Sequence, residues 1–250
     1  FPVPEKEVLR RIDFPDFETG FNAVAQLYAE GVRPAVVDYG EEFWPDNDAD
    51  ERVPLYLAFQ GFLEDVDAHL KRAQEICQRF GGRPGDQNDA KEYWETRHAS
   101  GKRYLSEVLQ SDDPAKARRN RSSYRMDYLH VALPTSQVLD YRKRCQDIFH
   151  ETNVIVREWS LWARPEFFSF IIMREDDAAT DSSTTDMADV VDQVLRLAQQ
   201  MGGSMEYCHG VGLKLAHLMG DEHGAGLKAA QAIKKSLDPN LILNPGKLMG

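Results

Sequence analysis

No run of apolar residues in this chain approaches the ~20 that a helix needs to cross a bilayer, so a transmembrane segment is not expected. Cysteine is scarce: Cys77, Cys145 and Cys208 are odd in number, far apart and free of any C-x-x-C spacing. That excludes a disulfide framework and points to a reducing compartment, hence a cytoplasmic protein. Positive charge is in deficit, 30 Lys and Arg against 41 Asp and Glu, for a net charge of -11. Nucleic acid and anionic membranes both need a basic patch, so neither is expected as the main partner. The opening Phe1-Pro-Val-Pro4 has no Met, no basic n-region and no apolar signal core. It reads as a domain cut from a longer polypeptide or as a processed N-terminus. What is present is 250 residues with 42% hydrophobic and 10% aromatic content. That supports a sizeable core and excludes a disordered chain, collagen or a coiled coil.

Periodicity predicts a helix over 16–31, strands over 34–39 and 54–59, a helix over 63–80 and helical structure over 90–110. The second half follows the same order. A strand is expected over 124–132 and a helix around Val138, Tyr141, Cys145 and Ile148. A hairpin of 154–162 and 167–173 turns at Arg164-Pro165-Glu166, and a further helix carries Val190, Val191, Val194, Leu195 and Ala198. Both halves end a helix on Gly-Gly, at 81–82 and 202–203. The pattern predicts an α+β fold: antiparallel sheet with helices packed on one side, built from duplicated ferredoxin-like halves and followed by a C-terminal helical segment. The halves run from about 1–112 and 122–203, with a tail over 204–250. That tail includes a helix over 224–237 with Leu227, Ala230, Ile233 and Leu237 on one face.

Chemistry concentrates in the last quarter. Gly202-Gly-Ser-Met-Glu-Tyr-Cys-His209-Gly-Val-Gly212 surrounds one imidazole with small residues. Glycines allow positive φ and close approach to a flat ligand, and an imidazole titrates near neutral pH, which suits acid/base work. A turn between helices carrying a surface His is the other reading of this loop. About 30 residues on comes Asp238-Pro-Asn-Leu-Ile-Leu-Asn244-Pro-Gly-Lys247. The two segments together, with Phe14-Pro-Asp-Phe-Glu-Thr-Gly20 and Gly31-Val-Arg-Pro-Ala35 near the start, resemble the FAD-linked oxidase C-terminal domain. That family includes the D-lactate and glycolate dehydrogenases and alkyldihydroxyacetonephosphate synthase.

The resemblance covers nearly all of residues 1–250 and implies a cap over the flavin ring of FAD. An N-terminal FAD-binding domain would hold the rest of the cofactor, and its glycine-rich phosphate loop has no counterpart here. By resemblance, His209 stands near flavin and substrate as a base or orienting group. Asn244 and Lys247 meet the flavin, and Gly210 permits close approach. Arg97, in Trp94-Glu-Thr-Arg97, matches a family arginine that grips a substrate carboxylate or phosphate, a role suited to the bidentate guanidinium. Tyr207 and Trp162 are further substrate-side candidates, Trp162 standing where the synthase has a functional tyrosine.

Two departures weigh on the chemistry. The His-x-Gly-Asp-Gly-Asn-type segment of the metal-dependent relatives has no counterpart in Trp159–Glu166, and Cys208 stands where they have Glu. No metal site is expected. Only one of the synthase's three loop histidines is present. His98 and His130 read as helix and core residues, and Cys208 beside His209 has no orienting carboxylate motif. Lys116–Arg121 and Asp176–Asp186 read as solvated loops. The expected function is the substrate-capping domain of an FAD-dependent oxidoreductase that removes hydride from a CH–OH carbon of a 2-hydroxy acid or alcohol. The alternatives are a synthase-type flavoenzyme and a non-catalytic ferredoxin-like binding domain. The expected partners are that small molecule and the flavin-binding domain, with a homodimer left open.

Overall fold

The computed structural model describes residues 3–43, 52–113, 124–175 and 185–246. The acidic 44–51 stretch, the basic 116–121 run, most of the 176–186 loop and Lys247 fall outside the described residues. In chain order the elements are β1 (Lys6–Phe14), α1 (Phe17–Ala29), β2 (Val36–Glu42), β3 (Val53–Gly61), α2 (Leu63–Arg79) and β4 (Arg83–Pro84). Then come α3 (Gln87–Thr96), α4 (Ala99–Tyr104), β5 (Tyr124–Ala132), α5 (Val138–Glu151), β6 (Ile155–Trp162) and β7 (Phe167–Glu175). The chain ends with α6 (Met187–Gln200), the short α7 (Met219–His223) and α8 (Ala225–Leu237). The seven strands form one sheet in the order β4-β1-β3-β2-β6-β7-β5. The pairs β1–β3, β1–β4, β2–β3 and β2–β6 are antiparallel. The expected α+β fold is what the chain adopts.

Two compact units make up the chain. The first holds Phe1–Tyr128, Asn153–Pro165 and Ser169–Thr184; the second holds Leu129–Thr152, Glu166–Phe168 and Thr185–Gly250. In the first, alternation along β2 sends Val37 and Tyr39 inward and Asp38 to the other face. Tyr39 packs edge-on to Phe14 at 6.0 Å and against Phe17 at 5.1 Å. Its hydroxyl lies 2.9 Å from the Asp16 carbonyl and 3.0 Å from that of Phe17. Asp16 also caps α1 by accepting from the Thr19 N–H at 2.8 Å. One aromatic thus ties a strand to the exposed carbonyls at the start of a helix. In the second unit Tyr141 does similar work: fully buried, it donates to the Val194 carbonyl of α6 at 3.0 Å and meets Phe168 edge-on.

The two Gly-Gly stops are built alike. Gly81 and Gly202 have φ of 81° and 78°. The next N–H, of Gly82 or Gly203, returns to a carbonyl five residues back, Cys77 or Ala198, at 2.9 Å in each case. A Cβ on Gly82 would stand 2.8 Å from the Cys77 carbonyl and 2.9 Å from Ile12 of β1, and one on Gly203 would stand 2.6 Å from the Ala132 carbonyl of β5. Each second glycine is there because a strand passes too close for a side chain.

Two elements depart from the periodicity. Lys6–Phe14 forms a full strand, paired residue for residue with β3 from Lys6↔Gly61 to Phe14↔Val53. Its charged residues Arg10, Arg11 and Asp13 hide the alternation, yet Arg11 bonds Asp13 at 2.7 Å and reaches Asp89. The helical stretch expected over 90–110 divides into α3, α4 and a wider π turn at Leu105–Leu109. While α1 and α2 contact β1 and β3, α3 lies on the opposite face, since its Tyr93 bonds Asp38.

Gly20 and Gly101 are both helical glycines with opposite surroundings. A Cβ on Gly20 would fall 2.1 Å from the Tyr39 hydroxyl, whereas one on Gly101 meets nothing within 4 Å. Replacing a helical glycine by alanine gains about 0.5–1 kcal/mol, while overpacking a filled core costs about 1–3 kcal/mol. Gly20→Ala is therefore expected to lower the urea midpoint at unchanged slope, and Gly101→Ala to raise it.

Candidate functional site

In the first unit the polar sheet face is organised around Asp38. Tyr93 of α3 donates to its carboxylate at 2.6 Å and stacks on Tyr56 with centroids 4.0 Å apart. Burial raises the Asp38 pKa against the pull of the Tyr93 hydroxyl, and burial followed by Asp38 raises that of Tyr93. Across the strand pair, Asp38 faces Trp162 in register, so Trp162 shares this face. Half-exposed, Trp162 donates its indole N–H to Ser160 Oγ at 3.1 Å. On β6, Glu158 is also raised, again mainly by burial.

Arg97 ends α3, the helix that Tyr93 seats on this face. It is exposed, and its guanidinium lies 3.6 Å from the Trp94 ring centre while also donating to the Trp94 carbonyl. The Trp-x-x-Arg spacing thus makes a local cation–π contact between the guanidinium and the indole.

In the second unit the glycine-flanked loop is pinned to β5. Ala132 and Ser204 form a bridge through N–H to carbonyl bonds of 3.1 and 2.7 Å. The Tyr207 N–H donates to the His130 carbonyl at 3.1 Å, and the Tyr207 ring stacks on Phe167 at 4.6 Å. Below these, Met205 is buried, and the Glu222 carboxylate accepts from its N–H at 3.3 Å and from Gln199 at 2.9 Å. Beyond Tyr207 the chain turns outward. Glu206 accepts from the N–H groups of Cys208 at 2.5 Å and His209 at 2.8 Å. These bonds hold the backbone of the Cys208–His209 pair; they are not made to the imidazole or the thiol.

His209 and Gly210 are exposed, and Gly210 and Gly212 have φ of 72° and 55° with nothing within 4 Å of where a Cβ would stand. This bare backbone beside an exposed imidazole fits the edge or face of a planar ring. His130 is the functional candidate that sequence reasoning assigned to the core. It is buried, yet its ring centre lies 4.4 Å from that of His209, at 74°. Burial lowers its pKa, as does His209, while Glu206 acts the other way. The donor atoms of His130, Cys208 and His209 all lie within 4.8 Å of one another. A separation of 79 positions between the two histidines leaves no local spacing that could have shown this.

The tail is held by one buried carboxylate. Asp238 accepts from the N–H groups of Ile242 at 2.9 Å and Leu243 at 3.0 Å and from the Lys234 ammonium at 2.6 Å. Lys234 in turn donates to the Leu243 carbonyl at 2.8 Å. The Asp-Pro-Asn segment is therefore a closed turn that presents Asn244, exposed with φ of 45°, a conformation asparagine tolerates. The position a Cβ would take on Gly246 is 3.9 Å from Leu213, so the tail returns to the end of the His209 loop. The helix before it, α8, buries none of its residues, and Ile233 and Leu237 of its expected apolar face are exposed.

The family described as FAD linked oxidases, C-terminal domain, matches residues 3–248. The chain is 22% identical over 261 residues to a probable mitochondrial D-lactate dehydrogenase from Danio rerio, covering 100% of this chain and 49% of that protein. A D-lactate dehydrogenase from Anaerostipes hadrus is 20% identical over 271 residues, covering 99% and 53%. Among solved structures, alkyldihydroxyacetonephosphate synthase superposes with a TM-score of 0.60 at 14% identity, over 98% of this chain and 45% of that one. The chain spans about half the length of the curated relatives it matches.

The bonds at Asp238 carry a pH dependence. The Lys234 ammonium, followed by the Leu243 and Ile242 N–H groups, lowers the Asp238 pKa against its ordinary 3.8. A lowered folded-state pKa gives a contribution that is present above the ordinary value and is lost as pH falls through the lower one. Amide exchange at Ile242 and Leu243 should thus stay slow down to about pH 4 and speed up below it, beyond the intrinsic pH trend. In Asp238→Asn the protection should already be reduced at pH 7, because the charge-assisted bonds are gone.

Proposed function

The chain belongs to the FAD-linked oxidase C-terminal domain family, whose redox cofactor is FAD, and on that premise we propose that it is the substrate-capping part of an FAD-dependent oxidoreductase acting on a CH–OH carbon. The substrate class is a 2-hydroxy acid or a related alcohol. FAD, when bound, supplies the acceptor for the hydride. The observation that carries the reading is the pinned loop, with an exposed imidazole at 209 beside backbone left bare by Gly210 and Gly212.

Each residue then has a task set by its own surroundings. His209 handles the hydroxyl proton, as acceptor or as orienting group, and Glu206 fixes its backbone through the N–H bond. Asn244 offers an amide from a turn that Asp238 has already closed, so little order must be gained on binding a ring edge. Arg97 grips the substrate carboxylate. Its guanidinium carbon lies 3.6 Å from the Trp94 ring centre, and the group is exposed, so its fork is open to a planar anion. Tyr207 is the substrate-side aromatic of the His209 loop, and Trp162 that of the Asp38 face in the first unit. The partner is a flavin-binding half, and without it the chain is expected to hold FAD weakly.

The test is co-expression with a flavin-binding half from a relative, followed by stopped-flow measurement of flavin bleaching with a panel of 2-hydroxy acids and alcohols. Bleaching by at least one hydroxy acid is expected. His209→Ala should slow it by ~10²-fold or more, and Arg97→Ala should raise KM for carboxylate substrates far more than it lowers kcat. No bleaching by any panel member would remove the dehydrogenase reading. Unchanged reduction by His209→Ala would leave that residue a structural role.

A further inference from the structure

We propose that His130, Cys208 and His209 form a binding site for one thiophilic divalent cation, zinc rather than magnesium, calcium or manganese, that the chain fills without FAD. Two imidazoles and one sulfur converge from a strand and a loop, with all donor atoms within 4.8 Å of one another. Around tetrahedral zinc, N and S donors stand about 3.4–3.6 Å apart, given bond lengths near 2.0–2.3 Å. The three groups need to draw in by roughly 1 Å. Cys208 and His209 are exposed and can make that move by side-chain rotation, while the buried His130 supplies the fixed point.

The donor set selects the metal class. Sulfur and imidazole favour zinc over magnesium, calcium or manganese, which take oxygen ligands. Three protein ligands leave a fourth position for water or another oxygen donor, the pattern of an open rather than a closed zinc site. The cysteines divide accordingly. Burial pushes the thiols of Cys77 and Cys145 up to about 12, so neither is a ready ligand at neutral pH, whereas Cys208 is exposed and lies beside two imidazoles.

The surroundings are already organised for a filled site. Glu206 fixes the backbone of both loop ligands through their N–H groups. The His130 carbonyl holds the loop through the Tyr207 N–H at 3.1 Å, and the Tyr207 ring lies 5.7 Å from that of His130 and stacks on Phe167. These bonds hold the loop backbone, and with it Cys208 and His209, beside β5. With one nitrogen on a metal, His209 has no lone pair for a proton, which would give it the orienting one of its two roles.

The test uses the 250-residue chain, stripped with chelator and dialysed against zinc, with metal content read by mass spectrometry and affinity by competition with a chromophoric chelator. One zinc per chain is expected. Cobalt loaded instead should show a sulfur-to-cobalt charge-transfer band and tetrahedral visible bands. Cys208→Ser, at an exposed position where folding is not at risk, should abolish the charge-transfer band. It should weaken zinc by 100-fold or more, beyond the roughly 10–100-fold typical of outer contacts. His130→Gln should also weaken it, with circular dichroism reporting whether the fold is kept, and His98→Ala should change nothing. Zinc at background level, or affinity untouched by Cys208→Ser, would overturn the proposal. Neither readout depends on flavin, so failure here leaves the oxidoreductase reading standing.

Discussion

The second unit depends on a short antiparallel contact between β5 and the chain after α6. Two backbone hydrogen bonds join Ala132 to Ser204, and a third joins the Tyr207 N–H to the His130 carbonyl. These bonds form only because Gly203 lets the chain pass 2.6 Å, measured from where its Cβ would be, from the Ala132 carbonyl. A side chain there would push the loop away. His209 would then lose its place beside His130, and Tyr207 its stack on Phe167. The glycine pair that ends α6 is thus the condition for the loop's position, and its first residue supplies the positive φ that turns the chain back.

The same device appears after α2, where Gly82 backs onto Ile12 of β1. There it leads into Arg83–Pro84 and on to α3, and so to Arg97. In both places a helix stop, a tight glycine and a strand deliver the next segment at a fixed angle. A carboxyl then completes the local order: Asp38 seats α3 through Tyr93, and Glu206 holds the Cys208 and His209 backbone. The rigid part of each candidate site is backbone and buried polar contact, while the groups that would touch a substrate are exposed at its end.

Much of this was legible in the sequence because it rests on local pattern. The Gly-Gly stops, the 124–132 strand, the hairpin turning after Trp162 and the amphipathic helices all follow from spacing within a dozen residues. The segments around His209 and Asn244 carried the family resemblance for the same reason. β1 was not legible, because Arg10, Arg11 and Asp13 disguise its alternation, and the place of Arg11 is fixed by Asp13 on the same strand together with Asp89 of the distant α3. The role of Asp238 was also hidden. It looks like one letter of a turn motif, and its closing partner Lys234 belongs to the helix before it. His130 was read as a core residue, and it is buried. The sequence could not say that its ring faces His209 from 79 positions away, because the two are brought together by the Ala132–Ser204 bridge and the Tyr207–His130 backbone bond.

The electrostatics of that pair follow from unequal burial. Desolvation disfavours the imidazolium of His130, and the nearby His209 disfavours it further, so His130 favours the neutral ring, the form with a lone pair. Glu206 opposes this, but its carboxylate is already engaged by two N–H groups, which spreads its charge over the loop backbone. A neutral imidazole keeps one lone pair, and donor atoms of His209 and Cys208 lie within 4.8 Å of one of the ring nitrogens of His130. Its presence at 130, rather than the burial itself, is the reason to look for chemistry at this end of β5.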